Sequence, residues 1–300
     1  LKILFNLLVV KKRGFVKTEY LGGRYKIVDF LGAGGMGSVY TSHFEDRPDQ
    51  LVALKVLHKE FADDESAVKR FREEVIATQT ISHLNIVSPI EMFRDENDVA
   101  FSMEYLPGGD LATHLEQNGS ISIPQSITFM KDIASALYTI HKAGIVHRDI
   151  KPENILLTDN YQTGELTAKV SDFGIAHLDY LTRERTGTGV FGTVVYLCPE
   201  YIKNEISDPR GDIYALGVIG YEMITGMQPF YSESVIETLK LKFAGTVSPI
   251  HALRPECPDE LARIIYKMLE IKSARRYQRI EDVIYDLGDL TNPKVHALAA

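Results

Sequence analysis

His147-Arg148-Asp149-Ile150-Lys151-Pro152-Glu153-Asn154 is followed, eighteen positions after Asn154, by Asp172-Phe173-Gly174. Carboxylates, an amide and a lysine crowd into these few positions. Singly, Asp149 reads as a turn residue and Asp172 as a helix cap, because short carboxylate side chains bond nearby backbone N–H groups. The sequence on either side differs in period. Before it, short β-type runs at 25–31, 38–44, 51–56 and 86–93 surround one helical stretch at 65–82. After Leu106-Pro107-Gly108-Gly109 the period becomes helical. In the helix expected over 124–143, Ile127, Met130, Ile133, Ala134, Leu137 and Ile140 share one face and Gly144 supplies a stop. Further helices are expected over 209–225, 232–243, 258–270 and 280–290. This pattern predicts an α+β architecture of two lobes: an N-terminal antiparallel sheet with one helix, and a mainly helical C-terminal lobe. The expected boundaries are an extension at 1–24, the lobes at 25–105 and 106–290, and a tail at 291–300.

With 300 residues, 45% of them apolar and 25% charged, the chain can bury one large or two modest cores. A net charge of −8 argues against nucleic acid or an anionic membrane as partner, since both attract Lys/Arg-rich faces. Cys198 and Cys257 stand in no metal-ligand or redox spacing, which fits a reducing cytoplasm. The apolar run 1–10 is half of the roughly 20 residues that span a bilayer. Lys11, Lys12 and Arg13 follow that run, the reverse of a secretion signal. A start at Leu1 points to a fragment, and the run reads as a packed element, a leftover of expression, or a membrane-proximal tail.

Gly32-Ala33-Gly34-Gly35-Met36-Gly37-Ser38-Val39 lies between two strand-like runs. Glycines let backbone N–H groups approach phosphate oxygens with no Cβ in the way. A dinucleotide fold would need a helix straight after the glycines and an acidic residue about 20 positions on. Here a strand follows, and Lys55 stands 23 positions after Gly32. A ligand-free glycine hairpin remains the bland alternative. Val52-Ala53-Leu54-Lys55 places a lysine at the end of an apolar strand. Glu73 and Glu74 on the following helix are both candidates to pair with it. Glu74 is preferred, since it falls beside Val75 and Ala77 on the apolar side.

Taken together, these motifs resemble the Hanks-type protein kinases, in particular the bacterial-type Ser/Thr branch, over roughly residues 25–290. The resemblance implies transfer of the γ-phosphoryl group of ATP to Ser/Thr hydroxyls of protein substrates, with Mg²⁺ as the metal and Mn²⁺ as a substitute. It implies that Asp149 orients the acceptor hydroxyl and takes its proton, that Lys151 contacts the transferring phosphate, and that Asn154 and Asp172 hold the metal. Carboxylate and amide oxygens are hard ligands suited to Mg²⁺. Lys55, held by Glu74, and the loop of Gly32, Gly34, Gly35 and Gly37 would bind the phosphates. Adenine would lie among Leu31, Val39, Ala53 and Leu156, with Met103 as gatekeeper and the backbone of Glu104 and Leu106 as its hydrogen-bond partners.

Between Asp172 and Glu200 lies a 27-residue segment containing Arg183, Arg185, Thr186, Thr188 and Thr193. Thr186 or Thr188 is the expected autophosphorylation site, with Arg148 placed to pair with the added phosphate. By resemblance Thr193 is a structural threonine near Asp149, Asp212 anchors the catalytic loop, and Arg276 pairs with Glu200. Three departures stand out: Cys198 replaces the family's Ala, Ile150 replaces Leu, and Thr78 stands where relatives carry a larger apolar residue. The rival reading is a catalytically silent pseudokinase acting as an ATP-binding scaffold, whose typical losses at Lys55, Asp149 or Asp172 are absent here. A small-molecule phosphotransferase of related fold is disfavoured by the complete segment 192–200. A homodimer through the strand-rich lobe, and a larger or membrane-anchored parent protein with this domain in the cytosol, are implied by resemblance alone.

Overall fold

The computed structural model describes residues 20–94, 98–159, 164–172, 194–204 and 208–290. Most of the expected extension 1–24, the tail 291–300, and Phe173, Gly174, Arg183, Arg185, Thr186, Thr188 and Thr193 lie outside them. The chain forms two compact units; Ile81–Ile86 groups with the unit that begins at Pro107, and Val87–Leu106 with the residues before Ile81.

The first unit is a six-stranded antiparallel sheet of order β1-β2-β3-β4-β6-β5. Its strands are β1 (Tyr20–Leu21), β2 (Tyr25–Ala33), β3 (Gly37–Phe44), β4 (Arg47–Leu57), β5 (Pro89–Arg94) and β6 (Val99–Glu104). Strand alternation places Leu54 and Val56 in a core with Tyr25, Tyr40, Val52 and Ala100, leaving Lys55 on the opposite face. A short helix, α1 (Lys59–Ala62), precedes α2 (Glu65–Gln79), which is started by the Asp64 carboxylate accepting from Ser66 N at 2.8 Å. Val68, Phe71 and Val75 form its buried stripe, and the Phe71 ring lies 5.2 Å from that of Phe101. Burial of a ring this size contributes about 2 kcal/mol.

Three sequence expectations need correction in this unit. Lys55 sits inside β4 and not at its end, because the hairpin with β3 extends the strand to Leu57. The helix expected to reach 82 stops at Gln79 with Thr80 as its cap. The strand expected from 86 begins at Pro89, with Ile86 bridged instead to Val170 of the second unit.

In the second unit, α4 (Ile123–Lys142) buries the predicted apolar face, and α6 (Pro209–Thr225) is apolar nearly all round. A helix of that kind belongs in the middle of a core. Gly217 lets it press on its neighbour: a Cβ there would stand 2.7 Å from that of Met268. Around these lie α5 (Pro199–Asn204), α7 (Val235–Ala244), α8 (Ile250–Leu253), α9 (Asp259–Met268) and α10 (Ile280–Asp289). The expected ends at 232 and 243, 258 and 270, and 290 shift by one to three residues. Five elements of this unit were not expected: α3 (Leu111–Asn118), the short helices α5 and α8, and the hairpin of β7 (Ile155–Asp159) with β8 (Leu166–Val170); in the first unit β1, α1 and β6 were likewise unforeseen. The Pro-Gly-Gly connector is stapled to that hairpin, Gly108 N donating to Leu157 O and Leu157 N to Gly109 O. A Cβ on Gly108 would stand 2.4 Å from Leu157 O, so only glycine fits.

Arg276 ties three segments of this unit together. Its guanidinium gives two bonds to Glu200, at 2.5 and 2.7 Å, and others to the carbonyls of Glu270, Ile271 and Arg210. Burial pushes the Glu200 carboxyl up, but the Arg276 pairing prevails and holds it below its ordinary value. The pair thus stabilises the fold above the usual carboxylate range, and this contribution is lost as the pH falls through the depressed pKa. Replacing Arg276 by Met leaves Glu200 and three carbonyls without their donor. The expected cost is about 3–5 kcal/mol, read as a fall in the urea midpoint at neutral pH; an unchanged midpoint would show the pairing to be dispensable.

Candidate active site

In the first unit the glycine loop is a tight turn between β2 and β3, closed by Gly34 N donating to Gly37 O at 2.8 Å. Gly37 is fixed by packing, since a Cβ there would lie 2.5 Å from Val56 O, whereas one on Gly32 or Gly34 would meet open space. The loop is tied to the end of β4 by His58 N donating to Met36 O, and by Ser38 Oγ 3.1 Å from His58 Nε2. Leu31 just before it is exposed.

Sheet register gathers the other candidates of this unit. Lys55 pairs with Val39 on one side and Phe101 on the other, while Ala53 lies between Thr41 and Met103. The Lys55 ammonium is 3.0 Å from Glu74 Oε1 and 5.7 Å from the centre of the Phe101 ring. Both members of the pair are largely desolvated, with side chains 15% and 6% exposed, so each fixes the other's position. Glu73 points elsewhere, 3.8 Å from the exposed Lys69. Thr78 donates to Glu74 O at 2.7 Å, so its hydroxyl bonds its own helix. Glu104 N–H is used by Ser88 O, and Leu106 is half-buried at the end of the unit.

In the second unit everything turns on Asp212, in the first turn of α6 and only 1% exposed. Its carboxylate accepts from His147 N and Arg148 N, both at 2.9 Å, and lies 2.8 Å from His141 Nε2. These bonds hold the backbone in a shape that includes a left-handed Arg148, at φ 69°. Such a conformation is costly for a non-glycine residue and persists only where the surroundings impose it. His147 is wholly buried, and burial pushes its pKa down, keeping the ring neutral. Its Nε2–H faces the carbonyl of Ser171 at 3.0 Å, leaving Nδ1 to accept from Asp149 N.

Asp149 is held by its neighbours. Lys151 Nζ lies 2.9 Å from Asp149 Oδ2, and Asn154 Nδ2 donates both to that oxygen, at 2.8 Å, and to the Asp149 carbonyl, at 2.7 Å. The Asn154 amide nitrogen is thereby engaged, and its oxygen is the atom suited to a hard cation. Ser171 donates twice to the Asn154 carbonyl, through N and Oγ, so the backbone before Asp172 is tied to Asn154. Asp172 has φ 56°, a left-handed conformation that Asp tolerates better than most residues. Two oxygen-bearing side chains on joined backbone suit a divalent cation. Leu156 lies in β7, paired with Lys169. Cys198 is a buried, inert thiol: burial first, then the Glu200 charge, push it to about 12.

His141 and Ser171 escaped the reading of the sequence, and no spacing or motif marks them. Each acts through a residue that the motifs do name.

A family model described as "Protein kinase domain" matches residues 25–284. The probable serine/threonine-protein kinase PknB of Lactococcus lactis is 34% identical over 270 residues, 90% of this chain and 42% of that protein. Serine/threonine-protein kinase PrkC of Bacillus subtilis is 34% identical over 89% of this chain and 40% of its own length. Serine/threonine-protein kinase PknA of Mycobacterium tuberculosis is 34% identical over 86% and 59% respectively. The chain thus spans about two fifths to three fifths of the length of these relatives. With a family model covering most of its length and relatives of this likeness, the chain belongs to the protein kinase family.

Proposed function

We propose that this chain is a Ser/Thr protein kinase domain that transfers the γ-phosphoryl group of Mg·ATP to Ser/Thr hydroxyls of proteins. The observation that carries the reading is the fixed Asp149 carboxylate, gripped by the Lys151 ammonium and the Asn154 amide. Phosphoryl transfer asks an enzyme mainly for positioning and charge neutralisation, and the residues divide those tasks. Asp149 aligns the acceptor hydroxyl and takes its proton as the oxygen attacks. Lys151, in reach of Asp149, offsets charge on the transferring group. Lys55, braced by Glu74, binds phosphate oxygens, assisted by the N–H groups of the loop at Gly32, Gly34, Gly35 and Gly37. Asn154 and Asp172 hold Mg²⁺, which supplies neutralisation of the phosphate charge. Leu31, Val39, Ala53, Met103 and Leu156 supply apolar contacts to adenine, and the Glu104 carbonyl and Leu106 backbone its hydrogen bonds.

Control is assigned to the segment after Asp172. Arg148 has its backbone pinned to Asp212 while its side chain is exposed, an arrangement suited to receiving a phosphate from Thr186 or Thr188. Membrane spanning finds no support in the described residues, where no helix is long and apolar enough to cross a bilayer.

Two measurements test the proposal. Wild type incubated with Mg·ATP is expected to gain phosphatase-sensitive mass in steps of about 80 Da, mapping to Thr186 or Thr188, while Asp149→Asn gains none. ATP binding without any mass gain in the wild type would leave the scaffold reading standing. Glu74→Gln, which keeps the shape but removes the charge that braces Lys55, is expected to lower kcat about 10- to 100-fold with little change in the urea midpoint, on the scale of a lost charge-assisted bond. Full activity in that variant would remove the pair from the mechanism.

A further inference from the structure

A lysine far from the motifs is built into the second unit as no surface lysine is. Lys242 of α7 is completely buried, although most lysines keep their ammonium in water. Its Nζ donates to Val195 O at 2.5 Å, to Leu197 O at 2.7 Å and to the Tyr214 hydroxyl at 3.2 Å, matching its three donors. The charge also lies 4.5 Å from the centre of the Tyr214 ring and 5.2 Å from that of Phe230, two rings stacked nearly parallel. Burial drives the ammonium down, to about 7, with Cys198 and Glu200 acting against that shift and the Arg276 charge adding to it.

What these bonds hold is a segment beside Asp149. Tyr196, Leu197 and Cys198 line one cavity together with Arg148, Asp149 and Ile150. Residues 196–198 thus border the catalytic Asp149, and the backbone of their segment is fixed by Lys242 at Val195 and Leu197. We infer that Lys242 is a positioning residue for the protein acceptor, setting the wall of residues 195–198 against which the acceptor segment lies. The inference rests on the kinase reading, and it assigns Lys242 no contact with substrate or nucleotide.

Lys242→Met keeps the length and apolar stem of the side chain and removes its donors. Lys240→Met, on the exposed side of the same helix, serves as control. The peptide is the one that wild type phosphorylates fastest in a pool of Ser/Thr peptides. For Lys242→Met the peptide KM is expected to rise about tenfold or more, the scale of one lost hydrogen bond to a charged group, with the ATP KM within about twofold of wild type. Amide hydrogen exchange over 195–198 should quicken, while α6 exchanges as before. An unchanged peptide KM in folded Lys242→Met, or an equal rise in both KM values, overturns the inference. If Lys242→Met fails to fold, Lys242→Gln, with neutral donors only, is read in the same way. Absence of phosphate transfer by the wild type to every peptide would overturn the kinase reading itself; unchanged exchange over 195–198 would then overturn the positioning role separately.

Discussion

A carboxylate removed from water is expensive unless both of its oxygens find donors. Asp212 meets that condition by accepting from two consecutive backbone N–H groups, those of His147 and Arg148, with the His141 ring as a further partner. The arrangement works in both directions. The loop supplies the donors that make burial of Asp212 tolerable, and Asp212 supplies the reason for the loop to adopt a left-handed residue at Arg148. From that bend follow the buried neutral His147, the bond from Asp149 N to its ring, and the grip of Lys151 and Asn154 on the Asp149 carboxylate.

The same economy of anchoring recurs elsewhere in the second unit. Arg276 satisfies its fork with one carboxylate and three carbonyls, and Lys242 satisfies its three donors with two carbonyls and a hydroxyl. Both cations lie over the ring of Tyr214. Carbonyls of the irregular backbone at 195–197 and 270–271 are thus held by side chains whose donors are fixed in space.

Much of this was legible in the sequence where a residue's neighbours in the chain are also its neighbours in space. The ends of α6 follow from Pro209 and Gly226, and the buried face of α4 from its 3.6-residue period. The choice of Glu74 over Glu73 follows from which side of a helix is apolar. Legibility failed where structure depends on partners distant in sequence. The strands of β7 and β8 are five residues each and acquire their identity from pairing with one another. Helix α3 buries only Leu111 and Leu115, too few positions to show a period. Lys242 reads as an ordinary polar residue of a helix, and only the meeting of α6, α7 and residues 195–197 turns it into a buried strut.

The burial of the two sulfurs has a practical side. Cys198 and Cys257 are the only cysteines in 300 residues, and both thiols are buried, with burial raising Cys198 to about 12 and Cys257 to about 11. Alkylating reagents act on the thiolate, which neither site populates at neutral pH. The native chain is therefore a quiet background for spectroscopy: a single cysteine introduced on an exposed helix face can carry a fluorophore or spin label without first stripping the protein of its own.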